Sequence, residues 1–203
     1  KHAAKLTSLD WLQLKRAAIA KDARLASDMG QLRRVVLSAA LSGTPANQLS
    51  IVPTEDTALR AAVDSCFNCF YDARSDFALA SNVHHTLDKL SQHLPLVGIT
   101  NGNVNAQKVG LDRYFTAILH ASVKRPMKPA QNMFDEAASL IKVTPSHILH
   151  VGDNIIKDVF GAINAGYQSA WFACNRPMQL KLEPVSVLPH VQLDSLEELI
   201  QFV

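Results

Sequence analysis

The first part of the chain, residues 1 to about 78, carries apolar side chains at intervals of three to four, the spacing of amphipathic helices. This spacing predicts helices over 9–25, 31–41 and 54–71, with Thr54 as a possible N-cap of the third. The second ends at Ser42-Gly43-Thr44-Pro45, and a Gly followed closely by Pro is typical of a helix end. No alternating strand pattern interrupts these segments, so the sequence predicts an all-helical unit over residues 1–80.

From about Asn82 the pattern changes to short apolar runs that alternate with helical stretches. It predicts strands over 94–100, 117–121, 147–151 and 168–172, and helices over 84–93, 130–141, 155–165 and 195–202. Short buried strands separated by helices indicate βαβ units and a parallel sheet covered on both faces. The predicted fold class of residues 81–203 is therefore α/β, with a Pro-rich surface loop over 175–189.

The amino-acid composition indicates which classes of partner and which cellular compartment to expect. Lys plus Arg number 20 and Asp plus Glu 18, so the net charge of +2 and the lack of a basic stripe argue against nucleic acid as a partner. No apolar stretch approaches the ~20 residues of a membrane span, and the N-terminal residues do not resemble a signal peptide. Three cysteines are too few for a disulfide framework, so we expect a cytoplasmic protein without a membrane partner.

The ends of the first two predicted strands of the sheet carry groups that suit phosphate. In an open parallel sheet, ligands bind beyond the carboxyl ends of the strands. Thr100 offers a hydroxyl donor, and Asn101 and Gly102 offer backbone N–H groups where a glycine permits close approach. Lys128, before Pro129, is a compact positive charge for phosphate oxygens or a carboxylate.

The third predicted strand ends at Gly152-Asp153, and Asp158 follows five residues after Asp153. Asp153 is a hard oxygen ligand of the kind that Mg²⁺ prefers, while Asp158 can hold a water or Lys128. Taken singly, these elements are ordinary turns and helix starts. Their occurrence at three strand ends on one edge of a sheet favours a shared site.

These residues resemble the motifs of the haloacid dehalogenase superfamily. The second motif is matched by Leu96-Val97-Gly98-Ile99-Thr100-Asn101-Gly102, the third by Lys128-Pro129, and the fourth by His150-Val151-Gly152-Asp153 with Asp158. The match covers residues 82 to about 175, and the helical unit before it looks like the family's cap. Within the superfamily, these runs are similar to bacterial flavin mononucleotide and riboflavin-pathway phosphatases.

The resemblance implies a Rossmann-like core under a small all-helical cap, and a Mg²⁺-dependent phosphatase of small phosphorylated metabolites. It implies that an Asp carboxylate attacks phosphorus and that water then cleaves the aspartyl-phosphate. It implies that Asp153 binds the metal and that the phosphoryl group is bound by Thr100, Asn101, Gly102 and Lys128. The implied catalytic residues are Lys128, Thr100 and Asp158.

One element of the family pattern has no match here. Its first motif, Asp-x-Asp-x-Thr after an apolar strand, is nowhere in the chain. In this family that strand lies between the strands that bear Thr100 and Asp153, and without it buried backbone groups would stay unpaired at about 1–3 kcal/mol each. We therefore hypothesise that about 20 to 30 residues, one strand and a connection, precede Lys1 in the natural protein and carry the nucleophile.

Two alternatives remain open. One is an L-2-haloacid dehalogenase of the same fold, which needs no metal and therefore fits the Asp153 and Asp158 pair less well. The other is a non-catalytic interaction protein, which the chain would be without a nucleophile. The sequence identifies neither the substrate nor the oligomeric state.

For several other residue patterns, a structural role is at least as well supported as a functional one. Cys66-Phe67-Asn68-Cys69 resembles a redox or zinc half-site, but its place in an apolar helix favours packing between cap and core. His147 and His150 are three apart on a strand, so they should face opposite sides and make a poor metal pair. The residues that could line a cleft between cap and core, or pack or face solvent instead, are Trp11, Arg33, Arg34, Tyr71 and Arg74.

Overall fold

The computed structural model of the protein describes residues 5–174, 176–184 and 187–203. The α-helices are α1 (Ser8–Lys21), α2 (Met29–Ser42), α3 (Thr57–Arg74), α4 (Ser81–His93), α5 (Ala106–Val109), α6 (Asn132–Ile141) and α7 (Gly161–Asn164). The strands are β1 (Val97–Thr100), β2 (Ala117–His120), β3 (Leu149–Gly152), β4 (Gln168–Trp171) and β5 (Val191–Gln192). A π-helical segment, Ile155–Phe160, leads into α7, and the 3₁₀ segments are Ala23–Ala26, Ala46–Gln48, Asp112–Tyr114, Pro145–His147, Leu180–Leu182 and Leu196–Phe202.

The ends of the first helices are set by side-chain caps. Thr7 and Asp10 form a reciprocal capping box at the start of α1, and Gly43 ends α2 in the left-handed conformation with φ of 75°. The N-cap of α3 is Asp56, whose Oδ1 accepts the N–H groups of Ala58 and Leu59, so the prediction of Thr54 was wrong by two residues. A carboxylate serves better there because it accepts two backbone donors at the positive end of the helix.

The helices before residue 50 pack around their own apolar cluster. Its buried members are Leu14, Ala18, Leu25, Leu32, Val35, Val36, Ala39, Ala40 and Leu49, and Trp11 packs against it. Trp11 is thus a partly buried packing residue of this cluster. Cys66, Cys69 and Cys174 are free and exposed, so the prediction that the first two pack between cap and core was wrong.

The strands form two parallel sheets, which confirms the predicted α/β class. In one, β1 pairs with β2 so that Thr100 lies opposite His120. In the other, β3 pairs with β4 and β4 pairs with β5. The sequence did not predict β5, because two residues are too short to produce a periodic pattern.

An apolar slot of about 420 Å³ separates β1 from β3. It is lined by Val97, Gly98 and Ile99 of β1 and by residues 149–152 of β3. Each of these strands is paired along its other edge, so the slot runs between two unpaired strand edges in the described chain. A slot of this kind has the backbone donors and acceptors that a further strand would need.

Helices cover both faces of the sheets. On one face, fully buried Phe134 of α6 packs with Ala162 and Tyr167, while Met133 packs under Leu119. On the other, Leu90 of α4 and Leu199 pack with residues of β4 and β5. Burial on both faces explains why the strands read as continuous apolar runs.

In the region predicted as a surface loop, 175–189, three of the described apolar side chains pack against the interior. Met178, Leu180 and Val187 pack against the cluster of Ile155, Val159 and Trp171, and residues 180–182 form a 3₁₀ turn. Residues 175, 185 and 186 of that prediction lie outside the described ranges. Among the helices that the structure describes, none combines the length and apolar character needed to cross a bilayer.

Candidate active site

A buried ion pair joins the loop after β2 to the segment after β3. The Nζ of Lys128 lies 2.6 Å from Oδ1 of Asp158, and the two residues are only 8% and 5% exposed. The same Nζ donates to the carbonyl oxygen of Ile99 at 2.8 Å, next to Thr100. Lys128 therefore links the carboxyl ends of β1 and β3, as expected of a cation at a shared site.

Asp158 is held by three donors and lies directly above a glycine. Besides Lys128, Nε2 of His150 lies 3.1 Å from Oδ1, and the N–H of Asn154 donates to Oδ2 at 2.9 Å. A Cβ on Gly152 would lie only 2.3 Å from Cγ of Asp158, so a residue with a side chain cannot replace this glycine without a shift. Both carboxylate oxygens of Asp158 therefore accept hydrogen bonds from groups of the protein, with Lys128 and His150 on Oδ1 and the Asn154 N–H on Oδ2.

The backbone after β3 turns Asp158 back toward the strand end. The side chain of Asn154 caps the segment by accepting the N–H groups of Ile156 and Lys157. The backbone N–H groups of Asp158 and Val159 both donate to the carbonyl oxygen of Asn154, at 2.8 and 3.3 Å, which widens the first turn into a π-type turn. Such widened turns occur often at functional sites.

The pKa of Asp158 is lowered although burial alone would raise it, because His150 donates a hydrogen bond and Lys128 supplies a positive charge. The pKa of His150 is lowered by burial, and its proximity to Lys128 acts in the same direction against the hydrogen bond to Asp158. Asp158 is thus ionised and His150 neutral near pH 7. His150 also stands edge-on to Phe134, with ring centroids 5.1 Å apart.

The loop after β1 also contacts the backbone of Lys128. The side-chain amide of Asn101 donates to the carbonyl oxygen of Lys128 at 2.9 Å and accepts its N–H at 2.8 Å. The N–H of Gly102 donates to Oγ1 of Thr100 at 2.9 Å, which leaves the hydroxyl proton of Thr100 for another acceptor. The structure therefore brings the predicted residues Thr100, Asn101 and Gly102 together with Lys128.

Asp153 lies at the same strand end but is exposed. Its carbonyl oxygen accepts the indole N–H of Trp171 at 2.9 Å and Nη2 of Arg176 at 2.7 Å, so its backbone is fixed from the adjacent strand. Within the described residues no group of three or more His, Cys, Asp or Glu side chains could hold a metal ion. One free carboxylate nevertheless fits Mg²⁺, which takes few protein carboxylates and completes its shell with phosphate and water.

A cleft of about 730 Å³ lies between the helices and the strand-end loops. Arg34, Phe67 and Tyr71 line it from α2 and α3, and Gly102 and Asn103 line it from the loop after β1. The rings of Phe67 and Tyr71 stack with centroids 5.8 Å apart and planes 13° apart.

The sequence of the chain matches a known family. The family model described as haloacid dehalogenase-like hydrolase matches residues 16–166, which is most of the chain. The chain belongs to the haloacid dehalogenase-like hydrolase family. The motifs that resemble this family lie within or close to the matched residues, where Thr100 ends β1 and Lys128 and Asp153 follow β2 and β3.

Curated relatives in this hydrolase family include phosphatases. The chain is 35% identical over 130 residues to the 5-amino-6-(5-phospho-D-ribitylamino)uracil phosphatase YigB of Escherichia coli, an alignment covering 64% of the chain and 55% of the relative. It is 30% identical over 147 residues to the human N-acylneuraminate-9-phosphatase, covering 69% of the chain and 58% of the relative. The chain therefore spans just over half the length of these relatives.

Solved structures show the same fold. A 2-haloacid dehalogenase from Pseudomonas syringae pv. Tomato superimposes with a TM-score of 0.86 at 25% identity, over 98% of this chain and 82% of that one. A phosphatase of the family from Thermococcus onnurineus gives a TM-score of 0.55 at 16% identity, over 93% and 91% of the two chains. The shared fold carries both phosphatases and dehalogenases, so the activity has to be argued from the site.

Proposed function

We propose that the chain is the larger part of a Mg²⁺-dependent phosphatase that hydrolyses a small phosphorylated metabolite through an aspartyl-phosphate. The observation that carries this proposal is the buried contact between Lys128 and Asp158 beside Thr100. A fixed ammonium group at the carboxyl ends of parallel strands is placed to stabilise the negative charge of a phosphoryl group.

Each residue of the loops has a proposed task. The Thr100 hydroxyl and the Asn101 N–H donate to phosphoryl oxygens, and Gly102 leaves the backbone open to the ligand. Lys128 neutralises the oxygens, and Asp158 keeps Lys128 oriented. Asp153 holds Mg²⁺, which, when bound, offsets the charge of the phosphoryl group.

The nucleophile belongs, in this proposal, to a strand that fills the slot between β1 and β3. The slot is apolar and lies between two strand edges that have no partner in the described chain. A parallel strand there would pair with both edges and would end beside Lys128. An Asp at that end would reach a phosphoryl group bound by Thr100 and Lys128.

The cleft supplies the site for the leaving group. About 730 Å³ is within the usual range for sites that enclose a small organic molecule. The stacked rings of Phe67 and Tyr71 offer an apolar face, which suits a ring-bearing substrate such as flavin mononucleotide or a riboflavin precursor. The relative named for a ribitylaminouracil phosphate supports this class of substrate.

We assign residues 1–80 as the cap domain and 81–203 as the core. The helices before residue 50 have their own apolar cluster, and the strands have separate ones, which supports the division. Polar contacts cross between the two parts at Ser75, whose Oγ accepts the Asn105 N–H at 3.0 Å. The free cysteines support a reducing compartment such as the cytoplasm.

A 2-haloacid dehalogenase is the second candidate, because a solved enzyme of that name superimposes closely. The complete protein should be assayed for inorganic phosphate from phosphate monoesters and for chloride from 2-chloropropionate, each with Mg²⁺ and with EDTA. The proposal predicts phosphate release that EDTA abolishes. Chloride release that is insensitive to EDTA would favour the dehalogenase, and neither activity would favour a non-catalytic protein.

A further inference from the structure

Two arginines of the helical part face the same aromatic ring. The Cζ atom of Arg33, on α2, lies 3.5 Å from the ring centroid of Phe70, and that of Arg74, the last residue of α3, lies 5.8 Å from it. The faces of an aromatic ring attract guanidinium groups, so Phe70 holds two positive charges close together.

This pair of arginines has no counterion in the described residues. Neither Arg33 nor Arg74 forms an ion pair or a side-chain hydrogen bond within 5–174, 176–184 and 187–203, and the Nε of Arg74 is buried without a partner. The neighbouring Arg34, by contrast, pairs with Asp64. The pKa of Arg33 is lowered, first by burial and then by the charge of Arg74. Two cations held in this way repel each other, and an anion between them would relieve the repulsion.

The pair lies beside the loop that we assign to the phosphoryl group. Nη2 of Arg74 is 4.0 Å from the point that a Cβ on Gly102 would occupy, and Oγ1 of Thr100 is 3.3 Å from the same point. The guanidinium of Arg74 and the hydroxyl of Thr100 therefore both lie within 4.0 Å of this point beside the Gly102 backbone. A ligand held by Thr100 through its phosphoryl group would therefore lie near the guanidinium of Arg74.

We propose that Arg33 and Arg74 bind a second anionic group, a carboxylate or a second phosphate, on the phosphorylated substrate. The inference rests on the proposed phosphatase activity and narrows its substrate class. A guanidinium fork matches both kinds of anion in a bidentate geometry, and the contact with Phe70 fixes the plane of the fork in advance. Within the ring-bearing class proposed above, the preference would favour substrates that carry a second anionic group over flavin mononucleotide, whose leaving group is neutral.

The test compares substrates of the complete protein that differ by one anionic group. One pair is 3-phosphoglycerate against glycerol 3-phosphate, and the other is fructose 1,6-bisphosphate against fructose 6-phosphate. The ratio of kcat/KM within each pair measures the preference for a second anion, and the two pairs separate a carboxylate from a phosphate. We expect Arg33→Met and Arg74→Met each to lower this ratio about tenfold in at least one pair, the effect of one lost charged hydrogen bond.

The control is Arg24→Met, which makes the same substitution at an arginine that is paired with Asp22 on the surface. It should leave both ratios at the wild-type value. Arg74→Lys keeps the charge without the fork and should give an intermediate ratio. Ratios of kcat/KM that stay unchanged in both Arg33→Met and Arg74→Met would overturn the inference. The same result is expected if another part of the protein neutralises the two arginines.

Calorimetric binding of the same ligands without Mg²⁺ separates this inference from the proposed function. Tighter binding of the ligand with two anions, lost in Arg74→Met, would support the anion site even if no phosphate is released. Phosphate release with no preference, in rate or in binding, for the ligand with two anionic groups would support the phosphatase activity and contradict the anion site.

Discussion

The side chains of Lys128 and Asp158 meet at 2.6 Å in the interior, joining segments that follow two different strands. A buried ammonium group and a buried carboxylate each carry a desolvation cost, and their contact offsets much of it. His150 and the N–H of Asn154 complete the surroundings of Asp158. The pair is therefore both a structural link and the proposed source of positive charge at the phosphoryl group.

Replacing Lys128 by Met should lower kcat of the complete protein by about 100- to 1,000-fold, the usual effect of removing one group that stabilises developing charge. It should also lower the free energy of unfolding by about 3–5 kcal/mol, because Asp158 would remain buried without its cation. Steady-state assays and urea denaturation measure the two effects.

The control for this variant is Lys157→Met, which removes an exposed lysine from the segment that carries Asp158 and should change neither quantity appreciably. Adding Asp158→Asn to Lys128→Met should restore part of the lost stability but not the activity. A rise in KM with unchanged kcat would show that Lys128 only binds substrate.

Replacing Asp153 by Asn should abolish Mg²⁺-dependent turnover and leave the fold intact. The side chain is exposed, so the free energy of unfolding should change by no more than about 0.5 kcal/mol. Phosphate release is measured against Mg²⁺ concentration, with Asp194→Asn as a control in another exposed loop. Wild-type activity in Asp153→Asn would remove this residue from the metal site.

Replacing Gly152 by Ala should destabilise the protein by about 1–3 kcal/mol, the usual cost of forcing an extra group into a packed region. The added Cβ would lie 2.3 Å from Asp158 Cγ, so the carboxylate has to move and the contact with Lys128 has to change. Activity should fall with stability.

Gly30→Ala is the matched control, since a Cβ there meets no atom closer than 3.5 Å and the position is in the first turn of α2. It should be neutral or stabilising by up to about 1 kcal/mol. Equal stability of Gly152→Ala and wild type would contradict the placement of Asp158.

His150 should make stability depend on pH. Its pKa is lowered in the folded protein, mainly by burial, so below the unfolded value of 6.5 the unfolded chain binds a proton that the folded protein does not. The free energy of unfolding should therefore decrease as pH falls below about 6.5, by up to about 1.4 kcal/mol per unit, until the folded pKa is reached.

Chemical denaturation at pH 7.5 and 5.5 measures this slope. His150→Gln should reduce the slope, whereas His147→Gln should not, because His147 is exposed. A slope that is the same in wild type and His150→Gln would show that other groups cause the acid sensitivity.

The sequence predicted the type and order of the main helices and strands because their apolar periods are strong. It predicted β1 and β2 with only small errors at their ends. It placed the N-cap of α3 at Thr54 instead of Asp56, since both residue types are common caps and local pattern does not choose between them. It missed α5 and β5, which are too short to show a period.

The sequence predicted that Asp158 holds a water or Lys128, and the structure shows the contact with Lys128. The tasks of Thr100, Lys128 and Asp153 remain predictions. The contact of His150 with Asp158 was missed, because strand alternation gives the direction of a side chain but not what packs against it. The side-chain amide of Asn101 was missed for the same reason, since its partner is the distant backbone of Lys128.

The central claim is that a carboxylate beside Lys128 and Thr100 takes up the phosphoryl group of the substrate. The most direct measurement is the mass spectrum of the complete protein, mixed with substrate and Mg²⁺ and quenched in acid within one turnover. The account predicts one added phosphoryl group, on an Asp at the end of the strand proposed for the slot between β1 and β3, and no adduct in Lys128→Met. Turnover without any adduct, or an adduct on another type of residue, would contradict the account.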